Sequence, residues 1–157
     1  MNIQEIIDQL PGIAQQYNRL LFIVGPQSSG KSRILRELSA TVKCPLINLN
    51  LELAKLLIEL TPLQRSRQLR VVLDDYLKSH NSQVLCIDNT EMLFSRDFAL
   101  DPLALLQALS RDRTLIVAWN GIIDGNHLIY AEASHQEYRK YNKHDAQLVL
   151  AAEILAK

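Results

Sequence analysis

The sequence predicts a three-layer α/β domain with a mainly parallel sheet, and three observations carry that reading. Short, wholly apolar runs recur along the chain, stretches with helical apolar spacing lie between them, and the first run ends in a glycine-bounded loop that opens a helix. Ile3, Ile6, Ile7 and Leu10 recur at helical spacing, so Asn2 to Leu10 reads as a helix that Pro11-Gly12 should end. Leu20-Leu-Phe-Ile-Val24 reads as a strand buried on both faces. Residues 31–42 read as a helix and Pro45 to Asn50 as a second strand. Leu51 to Lys78 is helical with a break at Thr61-Pro62, where threonine caps and proline fits the first turn of a second helix. Val84-Leu-Cys-Ile-Asp88 is a third strand, and a helix from Pro102 to Ser110 leads to a fourth, Thr114 to Ala118. His127 to Ala131 reads as a fifth strand reached through a Gly121/Gly125 loop, and Asp145 as the cap of a last helix running to the C-terminus.

Composition narrows the class. The chain has 157 residues, 48% of them apolar, enough for one domain over 1–157 with a sizeable core. It is neither disordered, collagen-like nor disulfide-stapled in composition. No apolar run approaches the roughly 18–20 residues of a membrane span, and the start of the chain lacks the basic, then apolar, order of a signal peptide. The expected location is the cytoplasm, with no membrane partner. There Cys44 and Cys86, both in apolar segments, read as buried free thiols. Seventeen basic and seventeen acidic residues give no net charge. Neither half of the chain has the excess that drives sequence-independent nucleic-acid binding, so charge leaves a local DNA contact open without arguing for one.

Residues 25–32, Gly-Pro-Gln-Ser-Ser-Gly-Lys-Ser, fit G-x-x-x-x-G-K-[ST] between an apolar strand and a helix, the context a phosphate-binding loop requires. Glycines let backbone N–H groups turn inward toward phosphate oxygens, and the following helix start adds positive potential. Gly25, Pro26, Gln27, Ser28, Ser29, Gly30, Lys31, Ser32 and the adjoining Arg33 are therefore the candidate residues for the phosphates of ATP. Lys31 would reach the β- and γ-phosphates and the Ser32 hydroxyl would bind Mg²⁺. Asp88, ending the third strand, is the matching metal carboxylate, with a plain helix cap as its alternative.

After Asp88 comes Asn89, a neutral amide that can orient water but cannot take its proton. Glu91 is a candidate substitute base; it also reads as an acid stabilising the helical turn Glu91–Phe94. Asn120, after the fourth strand, is a candidate group beside the γ-phosphate or a turn former before Gly121. Arg111 and Arg113 are candidates to reach a neighbour's nucleotide, or solvated loop charges. No His/Cys cluster has metal-ligand spacing.

The loop and the Asp88 strand resemble P-loop NTPases of the AAA+ and RecA type, which implies a five-stranded sheet of order 5-1-4-3-2 and makes Asn120 similar to sensor 1 of AAA+ proteins. The chain departs from that pattern in lacking a full helical lid, since only about 25 residues follow Ala131. That departure points to an oligomer or a partner that encloses the nucleotide. Size, motifs and the segment Leu128 to Tyr141, with His135, Glu137, Tyr138 and Tyr141, resemble the small P-loop proteins of type 3 BREX phage-defence systems, the BrxF family. His135, Glu137 and Tyr138 also fit an ordinary surface turn. The resemblance implies a bacterial cytoplasmic ATPase that works with other defence-system proteins on DNA. Three functions stay open: a weak or partner-stimulated ATPase, a nucleotide-sensing module with negligible hydrolysis, and a small-molecule kinase. The kinase is disfavoured because Ser28 stands where its usual loop has a middle glycine.

Overall fold

The computed structural model describes residues 1–131, 138–142 and 145–155. Its element order is α1 (Ile3–Ile13), β1 (Leu20–Gly25), α2 (Lys31–Val42), β2 (Leu46–Asn48), α3 (Leu49–Leu57), α4 (Pro62–Ser79) and β3 (Val84–Asp88). After two short 3₁₀ turns, Glu91–Phe94 and Arg96–Phe98, follow α5 (Pro102–Leu109), β4 (Thr114–Asp124), β5 (His127–Tyr130), β6 (Arg139–Tyr141), β7 (Gln147–Leu150) and α6 (Ala151–Leu155). Five strands lie in the order β2-β3-β4-β1-β7, all four pairings parallel. Helices cover both faces. Leu20, Phe22 and Val24 of β1 join a core with α3, α4 and α5, while Leu21 and Ile23 join a second core with α1, α2 and α6. This is the expected α/β class, with every residue of β1 buried.

The strand order departs from the expected 5-1-4-3-2 in which strand five was 127–131. Residues 127–130 instead fold back antiparallel on the outer half of β4, with Asp124 opposite His127, and β6 continues that small sheet. Only Gly125 and Asn126 lie between the paired ends, and Gly125 has φ of 59°. A two-residue turn closes a hairpin; a parallel neighbour needs a crossover of a dozen residues or more. Gly121 is no loop residue either. It lies within β4, where a Cβ would run into the backbone carbonyl of Ile129. The place beside β1 falls to β7, in a stretch the sequence reads as helix. A strand buried on both faces needs backbone partners along both edges, and that demand outweighs the local helical spacing.

One smaller boundary also shifts. Pro11 is carried inside α1, which continues to Ile13. The α3–α4 break occurs where expected: Thr61 Oγ1 accepts from the Gln64 amide at 3.2 Å, and Gln64 Oε1 accepts from the Thr61 amide at 2.9 Å, a reciprocal capping box. Among the described residues no helix is long and apolar enough to cross a membrane. His135 and Glu137 lie outside the described residues.

Candidate functional site

β1 stops at Gly25 and the chain turns through Pro26–Gly30 before α2 begins at Lys31. Ser28 and Gly30 both have positive φ, 62° and 91°, which curls the loop around its own backbone. Gly25 has a packing reason as well, since a Cβ there would collide with Ser29 Oγ and press on Ala151 Cβ at 3.2 Å. Lys31 is buried to 6% exposure. Its Nζ donates to the carbonyls of Gly25 (2.8 Å) and Pro26 and to Ser29 Oγ (3.2 Å). Burial lowers its pKa from the usual lysine value, against the pull of Asp88 and Glu91, which favour the charged form.

β4 lies between β1 and β3, and the parallel register sets Gly25 beside Asn120. The loop therefore opens onto the ends of all three strands. Together they line a cleft of about 320 Å³ with Gln27 to Arg33, Arg36, Asp88, Asn89, Glu91 and Asn120. Gly25 and Pro26 act one step back, through the carbonyls that hold Lys31. Ser32 and Asp88, the expected metal pair, share the cleft and are both half-buried. Asp88 Oδ1 accepts from the Asn89 amide at 2.9 Å.

Glu91 is held through both carboxylate oxygens. Asn120 Nδ2 donates to its Oε1 at 2.6 Å, and Asn50 Nδ2 donates to its Oε2 at 2.8 Å. Asn50 is fixed in turn: its Oδ1 accepts from the Met92 amide (2.9 Å) and its own N–H bonds to the Asn89 carbonyl (2.9 Å). Sequence reasoning passed over Asn50, and Arg36 with it. The sequence reading ends its second strand at Asn50, and the Glu91 it meets lies 41 positions on, so no local signal joins them. Asn89 takes a left-handed backbone, φ 54°. Asparagine tolerates that conformation better than glutamate, a local reason for the amide next to Asp88.

The proposed arginines lie elsewhere. β4 begins after Arg113, so both sit at the strand end remote from the loop. Arg113 is buried, with Nη1 at 3.1 Å from Asp74 Oδ1 and 2.8 Å from the Leu109 carbonyl. Arg111 lies 4.8 Å over the Tyr17 ring. Arg113 is thus committed to structure, as buried charges require. At that same end a larger hollow, about 470 Å³, is lined by Gln16, Tyr17, Asn18 and 145–147, without the lysine and carboxylates of the cleft.

Trp119 lies on the other face from Asn120, as strand alternation demands, in the core shared with α3, α4 and α5 and within a cluster of rings. Phe22, Phe94, Tyr130 and Tyr141 surround it with centroids 4.9–5.9 Å away, and its Nε1 donates to the Ile129 carbonyl at 3.0 Å. Tyr141 also donates to Asp101 Oδ1 at 2.7 Å; its burial, and then that bond, push the phenol's pKa up.

No protein-family model matches the chain, and no curated protein does. Among solved structures it is similar to PCH-2 of C. elegans, with a TM-score of 0.46 and 18% identity, over 78% of this chain and 39% of that one. The chain thus spans about two fifths of that protein. A likeness so slight leaves the site to be read from its own residues.

Proposed function

We propose that the cleft binds ATP with Mg²⁺ and that the chain is a weak or partner-stimulated P-loop ATPase of AAA+-like fold. The observation that carries this is convergence. Lys31 and Ser32 from α2, Asp88 from β3, Glu91 from the following turn and Asn120 from β4 all line one cleft. Lys31 keeps a desolvated ammonium on loop carbonyls, which phosphate oxygens replace as partners on binding. Ser32 and Asp88 supply the hydroxyl and carboxylate oxygens that suit Mg²⁺. The ion, when bound, neutralises phosphate charge. Glu91 is the carboxylate able to take a proton from an attacking water, and Asn120 lies beside it to sense the γ-phosphate.

Slow turnover follows from the clamp. Both Glu91 oxygens already accept short hydrogen bonds, so an attacking water must share the carboxylate with Asn50 and Asn120. The same observation favours the second reading, a nucleotide-sensing module with negligible hydrolysis. The resemblance to the BrxF family extends the proposal to self-association and service beside other proteins of a phage-defence complex.

Calorimetric titration with ATP, with and without Mg²⁺, tests the site. Binding should tighten with Mg²⁺ in the parent, and Asp88→Ala should lose that tightening while keeping metal-free binding. A parent that binds no ATP overturns the reading.

A further inference from the structure

Cys44 and Cys86 take no part in the cleft, yet their sulfurs lie 3.6 Å apart, both free and both buried. The backbone fixes this approach from both sides. Cys44 follows Lys43, the left-handed end of α2, and its carbonyl accepts from Ser39 Oγ at 2.6 Å. The Cys86 amide donates to the Pro45 carbonyl at 2.9 Å, and Cys86 pairs with Leu46 in the β2–β3 ladder. Cys86 is fully enclosed, whereas Cys44 retains 8% exposure, so a small oxidant meets Cys44 first. The thiol contact from Cys86 also lowers the Cys44 pKa, which favours the nucleophilic thiolate.

We propose that Cys44 and Cys86 form a peroxide-driven disulfide that ties the edge strand β2 to β3 and resets the hold on Glu91. The Cys44 thiolate attacks one oxygen of hydrogen peroxide. The O–O bond breaks, hydroxide leaves and is protonated to water, and Cys44 becomes a sulfenic acid. The Cys86 sulfur then attacks the Cys44 sulfur; the S–O bond breaks, and the departing hydroxide takes the Cys86 proton as a second water. Two thiols and one peroxide give one disulfide and two waters.

A disulfide is about 2.05 Å long, so the sulfurs must close by roughly 1.5 Å. β3 is held on its far side by β4, whereas β2 is a three-residue edge with no second neighbour in the described sheet. The edge moves. Asn50 follows β2 directly through the first turn of α3, so its bonds to Glu91, Met92 and Asn89 take up the shift.

The test uses the full, nucleotide-free chain treated with one equivalent of hydrogen peroxide, followed by peptide mass spectrometry and amide exchange. Both free thiols should disappear together as one Cys44–Cys86 cross-link that dithiothreitol reverses. Exchange across residues 48–51 and 89–93 should change by about threefold or more. Cys44→Ser and Cys86→Ala should each abolish the cross-link and the exchange change. Either of two outcomes overturns the proposal at its first step: a folded chain that keeps both thiols, or Cys44 sulfinic acid beside an intact Cys86 thiol. A cross-link with unchanged exchange overturns the coupling to Glu91. Neither readout involves a nucleotide, so a failed ATP assignment leaves the result interpretable.

Discussion

β4 belongs to two sheets, and its two halves are held in place by different forces. From Leu115 to Asn120 it runs parallel to β1, with positions set by backbone register beside that fully buried strand. From Gly121 to Asp124 it pairs antiparallel with β5, and that hairpin is tied to the rest by rings: Phe94 stacks on Tyr130 at 3.5 Å, and Trp119 sits edge-on to both. The Glu91–Phe94 turn lies between the two regimes. Asn50 holds it from the β2 side, and Asn120 and Tyr130 hold it from the β4–β5 side. The parallel half therefore places the Pro26–Gly30 loop, while both halves together place Glu91. Affinity and turnover should separate by mutation accordingly.

The largest effect should come from the parallel half. Lys31→Ala should weaken ATP binding by about 100-fold, the scale of a lost charged hydrogen-bonding group, in a domain that still folds; unchanged affinity in the folded variant would remove the site. At the boundary, Glu91→Gln should cut ATP turnover by about 100-fold. Asn89→Gly, which suits the left-handed backbone, should stay within about threefold of the parent rate. Equal losses in both would make Asn89 the functional partner and return Glu91 to a structural role.

In the hairpin, Gly121→Ala should cost about 2 kcal/mol in thermal or denaturant unfolding, because its Cβ meets a backbone carbonyl that cannot swing away. ATP affinity of the folded fraction should hold. A gentler probe of the junction is Trp119 fluorescence, which should change more with Mg-ATP than with Mg-ADP. Asn120→Ala should erase that difference while ADP binding persists; full discrimination in the variant would leave Asn120 as a bond to Glu91 and nothing more. The smallest effect is alkaline. Lys31 loses its proton more readily folded than unfolded, so the cost of burying its charge fades as pH rises through its lowered pKa toward 10.5. Unfolding scans should show the parent gaining stability relative to Lys31→Met across that window, and parallel curves would contradict it.

Local chemistry was written plainly in the chain. Gly25 to Ser32 marks a turn between an apolar strand and a helix, and Thr61-Pro62 with Gln64 is a complete cap in four residues. Asp88, Glu91 and Asn120 could be nominated because each closes or follows an apolar run. Their meeting could not, because Asn120 and Glu91 bond across 29 positions and Asn50 and Glu91 across 41. The hairpin was misread although its evidence was local: two residues between 124 and 127 are too few for a parallel return.

By itself, then, the sequence determined the α/β class, the loop, the first four parallel strands and the helices between them, because burial period, glycine and caps act over a few residues. Tertiary structure decided what neighbours demand. It made 147–150 a strand, because β1 needs backbone partners on both edges. It brought the two thiols to 3.6 Å and enlisted Asn50, because parallel register aligns β2 with β3. It turned Arg113 inward to Asp74, because a buried guanidinium requires a carboxylate that only packing delivers.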